Sequence, residues 1–356
     1  MKKVCIVTTS LGKGGAERSS ALLSQMLSNI CYDVHILMTK NDIDYEFFGT
    51  LFNLEKKYGH NLSNLKKIKI LKAYFKEHDF DIIIDNRTRP SFLKEYILYN
   101  YVFKAKKKIS VVRSYYLANY FPNNIWLAKW LYRSKSVLVP VSKEIGKAIY
   151  EKYNLSSWVH IYNPISVDTI INKSNEEIKP KTDFILWYGR IEERVKNLTL
   201  LLHAYKMSSL SNRRIKLYII GEGKDVCLLN ERINNLKLSS SVSLLPFTKN
   251  PFPYVKRARF TVLTSRYEGF PRVLIESLSC GTPVVSVNCK SGPKEIIKHK
   301  ENGLLVENNN PEALAAAFNA FINDKTLYNY CKENAKKSVN KFSVNHIAEQ
   351  WKALLK

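Results

Sequence analysis

Short apolar runs rich in β-branched residues recur along the chain, and turns and amphipathic segments separate them. Runs of this length bounded by turn signals predict buried strands. Strands that alternate with helices at this rhythm predict parallel sheets. The first series of predicted strands is Val4–Thr9, Tyr32–Met38, Asp81–Asp85, Ile109–Arg113 and Val137–Val141. The second series is Phe184–Tyr188, Lys216–Ile220, Ser241–Leu245, Phe260–Thr264, Pro283–Val287 and Leu304–Val306.

Between the two series lies the polar, proline-containing segment Ile178–Asp183, which predicts a linker between domains. A chain of 356 residues has room for two domains with substantial cores. We therefore predict an α/β fold with two Rossmann-like domains, whose parallel sheets face a central cleft. Ligands of such sheets bind at the carboxyl ends of the strands. Helices are predicted at 16–30 and 311–322, and the chain ends in a helical stretch at 344–355.

The formal net charge of +25 is the strongest feature of the composition. A field of this sign attracts polyanions, and it does not distinguish nucleic acid from anionic lipid headgroups or phosphorylated substrates. The six cysteines are scattered without a CxxC pair, which favours reduced, buried thiols in a cytoplasmic protein. No apolar run is long enough to predict a membrane span, and the N-terminus does not resemble a signal peptide.

The segment from Tyr96 to Lys143 contains nine Lys or Arg residues, eleven aromatic residues and no acid. Its aromatic residues include Tyr115, Tyr116, Trp126 and Trp130, and its basic residues include Lys104, Lys106, Lys107, Lys108 and Arg133. Interleaved rings and cations are typical of a membrane interface with anionic lipid. The same composition could stack the bases of single-stranded nucleic acid, or could be a basic surface over an aromatic core.

A glycine-rich loop, Leu11–Gly15, joins the first predicted strand to the first helix. Glycines at this position allow a ligand to approach the backbone closely. The loop is not GxGxxG and no acid occupies a ribose position, so a dinucleotide-binding fingerprint is absent. Asn86 and Arg113 follow later strands of the same series, and we expect a ligand pocket near them and near Gly15, at the carboxyl ends of the strands.

Two cations follow the first strand of the second series. Arg190 comes directly after Gly189, and Lys196 lies six residues further, at the predicted start of a helix that runs to about Tyr205. Fixed cations at a strand-to-helix turn can grip a diphosphate. The alternative is that both are ordinary exposed bases in a chain with 56 Lys and Arg residues.

The stretch RYEGFPRVLIESLSCG, residues 266–281, carries two acids around a turn. Glu268 precedes the Gly269–Pro271 turn, and Glu276 lies on the following helix, with Pro271 predicted in its first turn. The N–H groups at a helix start attract anions, and carboxylates suit sugar hydroxyls. This unit therefore suits a phosphorylated ligand that carries a sugar, although both acids could simply be solvated.

Several blocks in this order resemble retaining glycosyltransferase family 4. They are GGAER (14–18), GR with KN (189–190 and 196–197), IIGEG (219–223), LPF with NP (245–247 and 250–251), SRYEGFPRVLIESLSCGTPVVS (265–286) and SGPKEI (291–296). Relative to the commonest form of the family, one extra residue, Val195, lies between Arg190 and Lys196. The resemblance covers nearly the whole chain and is sharpest in its second half.

The resemblance implies a GT-B fold, with an acceptor domain at residues 1–165, rejoined by a C-terminal helix at about 342–356, and a donor domain at residues 166–341. Glu268, Arg190 and Lys196 would be catalytic: the two cations hold the diphosphate, and Glu268 lies near the transferred sugar. Glu276 would bind the ribose. The implied donor-binding residues are Gly15, Arg190, Lys196, Leu245, Phe247, Gly269, Phe270, Pro271, Val273, Leu274 and Glu276.

The function so implied is retaining transfer of a hexose or N-acetylhexosamine from a UDP-sugar to a hydroxyl of a lipid-linked saccharide. We expect polyprenyl-diphosphate-linked acceptors, peripheral contact with the cytoplasmic face of an anionic membrane, and no nucleic-acid partner. We expect neither a cofactor nor a metal ion, and we interpret the acids of Asp42–Asp44 and Asp79–Asp81 as structural. A polyanion-binding or nucleic-acid-binding protein and a non-catalytic nucleotide-sugar-binding homologue are the alternatives.

Overall fold

The computed structural model describes residues 1–132, 136–178 and 182–356. These form two compact units, one of residues 1–164 with 344–356 and one of residues 165–343. Arg133, which belongs to the basic and aromatic segment, and residues 179–181 of the predicted linker lie outside the described residues.

The first unit is built on a six-stranded parallel sheet in the order β3-β2-β1-β4-β5-β6. Its strands are β1 (Lys3–Thr8), β2 (Asp33–Met38), β3 (Thr50–Asn53), β4 (Ile82–Asp85), β5 (Lys107–Val112) and β6 (Val137–Pro140). The central strands are almost wholly buried, as near-continuous apolar runs in a sheet covered on both faces should be. Strand β3, at the edge of the sheet, was not among the predicted strands.

Helices pack around this sheet. They are α1 (Gly15–Asn29), α2 (Leu54–Tyr58), α3 (Asn64–His78), α4 (Phe92–Ile97), α5 (Ile125–Tyr132) and α6 (Lys143–Tyr153), with a π-helical turn at Leu98–Val102 and a 3-10 turn at Leu117–Asn119. The C-terminal helix, Val344–Leu355, packs against α1 of this unit. The Nζ atom of Lys2 donates to the Leu355 carbonyl at 3.1 Å, which ties the two ends of the chain together.

The second unit repeats the same arrangement, with a parallel sheet in the order β9-β8-β7-β10-β11-β12. Its strands are β7 (Phe184–Tyr188), β8 (Lys216–Ile220), β9 (Val242–Leu245), β10 (Thr261–Leu263), β11 (Val284–Val287) and β12 (Gly303–Val306). Its helices are α7 (Val167–Lys173), α8 (Glu193–Lys196), α9 (Leu198–Met207), α10 (Val226–Asn235), α11 (Phe252–Arg257), α12 (Arg272–Ser279), α13 (Pro293–Ile296), α14 (Pro311–Asn323) and α15 (Lys325–Ala335), and a 3-10 turn follows at Lys337–Phe342. The predicted α/β class with two Rossmann-like sheets is confirmed.

Two local predictions in the second unit are wrong. Lys196 ends the short helix α8 instead of starting a longer one, because Asn197 adopts a left-handed conformation (φ 50°) before α9 begins. Asparagine tolerates this conformation better than most residues. Pro271 lies at the N-cap of α12 with an extended backbone (ψ 97°), so the helix starts one residue later than predicted.

Candidate active site

An ion pair between Lys196 and Glu268 lies in the loops that follow two neighbouring strands, β7 and β10. The Nζ atom of Lys196 donates to Oε1 of Glu268 at 2.6 Å, and the two side chains are only 22% and 14% exposed. The backbone N–H of Glu268 donates to the Lys290 carbonyl at 3.0 Å, which fixes the carboxylate's own loop. The carboxylate is therefore held in place, and neither partner is an ordinary solvated surface charge.

Two consecutive hydroxyls at the end of β10 support this pair. The Oγ1 atom of Thr264 donates to the backbone carbonyl of Lys196 at 2.9 Å, and Oγ of Ser265 donates to Oε1 of Glu268 at 2.6 Å. Both residues are fully buried. One short segment thus positions the backbone of the cation and the oxygen of the anion.

A side-chain clamp holds the turn behind Lys196. Nη2 of Arg266 donates to Oδ1 of Asn197 at 2.9 Å, and the backbone N–H of Arg266 donates to the Val195 carbonyl at 2.8 Å. Glu193, on α8, accepts from the hydroxyl of Thr199 at 2.7 Å. These contacts fix the left-handed turn that aims Lys196 towards the strand ends.

The loop that carries Arg190 packs against the glycine turn after β8. A Cβ atom on Gly221 would lie 2.0 Å from the Gly189 carbonyl oxygen, and one on Gly223 would lie 2.1 Å from the Ile191 carbonyl oxygen. Only glycine permits this approach of two backbones. The side chain of Arg190 is exposed and makes no hydrogen bond or ion pair within the described ranges, so it is available to an anionic ligand.

The turn Gly269–Pro271 is braced by the Ser291–Gly292 segment. Oγ of Ser291 donates to the Gly269 carbonyl at 2.6 Å, and a Cβ atom on Gly292 would lie 2.3 Å from Cδ of Pro271. Phe270 is buried, and its ring meets that of Phe342 at 5.2 Å. Helix α12 begins at this turn without a side-chain cap. Its first turn can therefore present N–H groups to an anion.

Glu276 is buried on α12, with only 5% of its surface exposed. The hydroxyl of Tyr188, the last residue of β7, lies 3.3 Å from Oε2 of Glu276 and 2.9 Å from the carbonyl of Val273. Arg272 approaches the other carboxylate oxygen at 3.6 Å. The alternative of two merely solvated acids is therefore wrong for Glu276 and for Glu268.

The remaining predicted residues lie in different places. Leu245 ends β9, where its carbonyl accepts from the Gly221 N–H at 3.3 Å, and Phe247 follows it with an exposed ring. Leu274 is buried on α12, close to the turn. Gly15 begins α1 and belongs to the other unit.

Comparisons with known proteins identify the family. The model of the family described as glycosyl transferases group 1 matches residues 168–338. N-acetylgalactosamine-N,N'-diacetylbacillosaminyl-diphospho-undecaprenol 4-alpha-N-acetylgalactosaminyltransferase of Campylobacter jejuni is 30% identical over 98% of both chains. The chain belongs to the glycosyl transferases group 1 family.

Further relatives agree with this membership. A second C. jejuni glycosyltransferase, an alpha-1,4-N-acetyl-D-galactosaminyltransferase, is 25% identical over 100% of this chain and 98% of its own. The solved structure of TarM from S. aureus has a TM-score of 0.80 and 15% identity, and the match covers 100% of both chains. The solved structure of HepE from Anabaena has a TM-score of 0.78 and 18% identity, and the match covers 100% of this chain and 99% of HepE. These two likenesses support the GT-B fold.

In the first unit of this glycosyltransferase, Asn86 and Arg113 come together beyond the ends of β4 and β5. Nη2 of Arg113 donates to Oδ1 of Asn86 at 3.0 Å, and Nη1 of Arg113 donates to Oδ1 of Asn163. Nδ2 of Asn86 donates to Oγ of Ser20 on α1 at 3.0 Å. Burial lowers the pKa of Arg113 to about 10. The cluster joins these strand ends to α1, the helix that Gly15 begins.

In one of the two acidic strings, Asp79–Asp81, both acids have a local structural place. Oδ2 of Asp81 accepts from the Lys3 backbone N–H at 2.9 Å, Oδ1 of Asp81 pairs with Lys106 at 2.8 Å, and Asp79 caps the end of α3. In the described part of the chain, no three His, Cys, Asp or Glu side chains are grouped so that they could hold a metal ion. No helix within the same ranges is long and apolar enough to cross a bilayer.

Sequence reasoning did not assign roles to Tyr188, Thr264, Ser265 and Arg266. Three of them, Tyr188, Thr264 and Arg266, contact a predicted site residue or its turn from a distant position in the chain, for example 88 residues away for Tyr188 and Glu276. The only local signal is that Ser265 stands three residues before Glu268.

Proposed function

We propose that this enzyme transfers a hexose or N-acetylhexosamine, with retention and without a metal ion, from a UDP-sugar to a hydroxyl of a lipid-linked saccharide. The observation that carries the proposal is the full-length likeness to the C. jejuni relative, whose name describes transfer of N-acetylgalactosamine to a diphospho-undecaprenol-linked sugar. The second C. jejuni relative is likewise named for a diNAcBac-PP-undecaprenol acceptor, and a 23% identical relative from Erwinia amylovora for amylovoran biosynthesis.

Residues 166–341 would hold the donor through its diphosphate. An ammonium group has three N–H donors, and Lys196 uses one of them on Glu268, which leaves two for phosphate oxygens. Arg190 adds a second cation from the same connection after β7, and the first turn of α12 adds backbone N–H groups. Leu245 and Phe247 would contact the base, and Glu276 would accept from the ribose hydroxyls.

The chemistry would be mainly electrostatic. When the glycosyl–phosphate bond breaks, negative charge develops on the departing diphosphate, and fixed cations and N–H groups aimed at it stabilise the transition state. Glu268 would lie beside the transferred sugar while it holds Lys196 in position. In a retaining reaction of this kind, the departing phosphate assists the incoming hydroxyl on the same face of the sugar, so the protein supplies positioning.

Residues 1–165, with the C-terminal helix at about 342–356, would bind the acceptor. The cluster of Asn86 and Arg113 lies at the carboxyl ends of the parallel strands of this unit, where ligands of such sheets bind. Gly15 begins the helix at the same sheet edge. We further propose that the enzyme is peripheral on the cytoplasmic face of an anionic membrane, since its acceptor would carry a polyprenyl chain and its net charge is +25.

The test is a screen of UDP-hexoses and UDP-N-acetylhexosamines, with GDP- and ADP-sugars as comparisons, against a library of polyprenyl-diphosphate-linked saccharides. We expect turnover with at least one UDP-sugar, full activity in the presence of a chelator, and an NMR coupling constant showing that the product keeps the donor's anomeric configuration. Transfer from a GDP-sugar alone, inversion, or loss of activity with the chelator would each overturn the corresponding part of the proposal. Binding of UDP without transfer to any acceptor would support the non-catalytic homologue.

A further inference from the structure

Helices α4 and α5 pack against each other and assemble a group of aromatic and apolar side chains at the surface of the first unit. The ring of Trp130 stacks on Tyr96 with centroids 4.6 Å apart and lies 5.7 Å from Phe92. Tyr101 meets the edge of Tyr96 at 6.1 Å. We call this group, with two further exposed members, the aromatic face: Phe92, Leu93, Tyr96, Tyr101, Trp126 and Trp130.

The aromatic face is exposed to an unusual degree. Trp126 is 78% exposed and Leu93 66%, and more than half of Tyr101 and of Trp130 is also accessible. Ile125 and Leu127, which flank Trp126 on α5, are exposed as well. Large apolar side chains grouped at a surface in this way mark a site of interaction.

The charge around this face is positive. Lys94 and Lys104 are exposed beside it, and Nζ of Lys129 lies 5.9 Å from the ring of Trp126. The acid on α4, Glu95, is buried and pairs with Arg87 at 2.9 Å, so it offers no charge to the surface. The face therefore complements a partner that is apolar inside and anionic at its surface.

A lipid bilayer fits this description better than nucleic acid does. Base stacking on several successive bases requires several open ring faces. Trp126 offers one, but the rings of Trp130 and Tyr96 are already stacked on each other. Leu93, Ile125 and Leu127 have no ring to stack on a base, but they gain free energy when they enter the acyl boundary. Tryptophan and tyrosine favour the headgroup level, where Lys and Arg meet anionic lipid.

We propose that the aromatic face is a membrane-docking surface, which inserts Leu93, Trp126 and Trp130 into the interface of an anionic bilayer while Lys94, Lys104 and Lys129 bind the headgroups. The proposal rests on the proposed lipid-linked acceptor, because docking here would bring the acceptor unit to the membrane that contains its substrate. Insertion of the apolar side chains and attraction by the cations make separable contributions to the affinity.

Vesicle flotation of the full chain tests the docking surface directly. Phosphatidylcholine vesicles with and without phosphatidylglycerol are compared at low and high salt. We expect wild type to bind the anionic vesicles, and Leu93→Ala with Trp126→Ala to weaken this binding by about tenfold, since both exposed side chains lose their interfacial burial. The matched control, Leu228→Ala with Tyr330→Ala, removes exposed side chains from the other unit and should bind like wild type.

A charge reversal separates the two contributions. Lys94→Glu should weaken binding to phosphatidylglycerol vesicles at low salt and have little effect at high salt, whereas Lys325→Glu, an exposed change in the other unit, should have a smaller effect. Absence of vesicle binding by wild type, or equal binding by the Leu93 and Trp126 double variant, would overturn the proposal. Retention of single-stranded RNA by wild type, lost in the double variant without any vesicle binding, would overturn it in favour of nucleic acid.

Failure of the docking surface can be distinguished from failure of the proposed sugar transfer. The double variant should keep the wild-type thermal shift with UDP and its rate on a short-chain, detergent-free acceptor, and should lose rate only with acceptor embedded in vesicles. A wild-type enzyme that transfers sugar but ignores vesicles retains the proposed function and rejects the docking surface. A wild-type protein that binds vesicles through this face but transfers no sugar retains the docking surface and rejects the proposed function.

Discussion

The hydroxyl of Ser265 donates to Oε1 of Glu268 at 2.6 Å, and this is the same oxygen that accepts from Lys196. One carboxylate oxygen thus receives two donors, one neutral and one charged. Because Ser265 is fully buried at the end of β10, its hydroxyl ties the carboxylate to the rigid sheet instead of to a mobile loop. The pair is therefore oriented before any ligand binds, which is the arrangement that electrostatic catalysis favours.

Removing either member of the Lys196–Glu268 ion pair should strongly slow sugar transfer. We expect Lys196→Ala and Glu268→Ala each to lower kcat/KM by about 100-fold or more, since a fixed charge at the departing diphosphate or at the reacting sugar is lost. Lys325→Ala, on an exposed part of α15, is the control and should leave turnover unchanged. Circular dichroism and melting curves check that the variants are folded. Wild-type turnover in both site variants would show that these residues are not catalytic.

Loss of the Ser265 hydroxyl should affect kcat more than KM. In Ser265→Ala the carboxylate of Glu268 keeps Lys196 but loses its link to β10, so the pair becomes less well oriented, and we expect kcat to fall by about tenfold. Ser279→Ala is the matched control, because Ser279 is equally buried and its hydroxyl donates only to a carbonyl of its own helix, at 2.8 Å. Steady-state kinetics with both variants make the comparison. Equal effects of the two substitutions would show that Ser265 contributes only to folding.

Sequence periodicity predicted most of the sheet because nearly every strand is a continuous buried apolar run. The exception, β3, has only four residues and pairs on one side alone, so its sequence carries little apolar signal. The break at Asn197 was also missed, because one asparagine directly before the apolar run of α9 is compatible with a helix that starts at Lys196. A left-handed residue leaves no trace in hydrophobic periodicity.

The basic and aromatic segment, residues 96–143, shows that composition does not predict which aromatic rings are buried. Tyr99, Phe103 and Tyr132 are buried in the core, whereas Trp126 and Trp130 are exposed, and composition alone does not separate these groups. The alternative of a basic surface over an aromatic core is correct for the buried rings only. In the candidate site, motif spacing predicted the paired acids and the cations, but the supporting contacts join residues far apart in sequence, such as Thr264 and Lys196, 68 positions apart.

The stability of the first unit should decrease as the pH falls below about 6.5. Burial lowers the pKa of His35, and His78 and Lys3 add to this effect while Asp33 opposes it. Since the unfolded chain then binds a proton more readily than the folded one, the contribution of His35 is complete above its unfolded pKa and is lost towards lower pH. His35→Gln should flatten this part of the pH dependence in urea unfolding, because the substitution removes the buried imidazole. A slope unchanged by His35→Gln would exclude His35 as its source.

Nucleotide affinity should depend on Glu276 and on the tyrosine that contacts it. Glu276→Gln keeps the shape of the side chain but removes the charge that would accept from ribose hydroxyls, so we expect UDP affinity to fall by about tenfold. Tyr188→Phe removes the hydroxyl near Oε2 of Glu276 and the Val273 carbonyl, and should weaken UDP binding less than Glu276→Gln does. Isothermal titration with UDP and with uracil alone distinguishes the two parts of the ligand. A loss that appears equally with uracil would place Glu276 at the base instead of the ribose. Tyr205→Phe, which removes a buried hydroxyl bonded to the Ile215 carbonyl at 2.8 Å, is the control for stability effects and should leave UDP affinity unchanged.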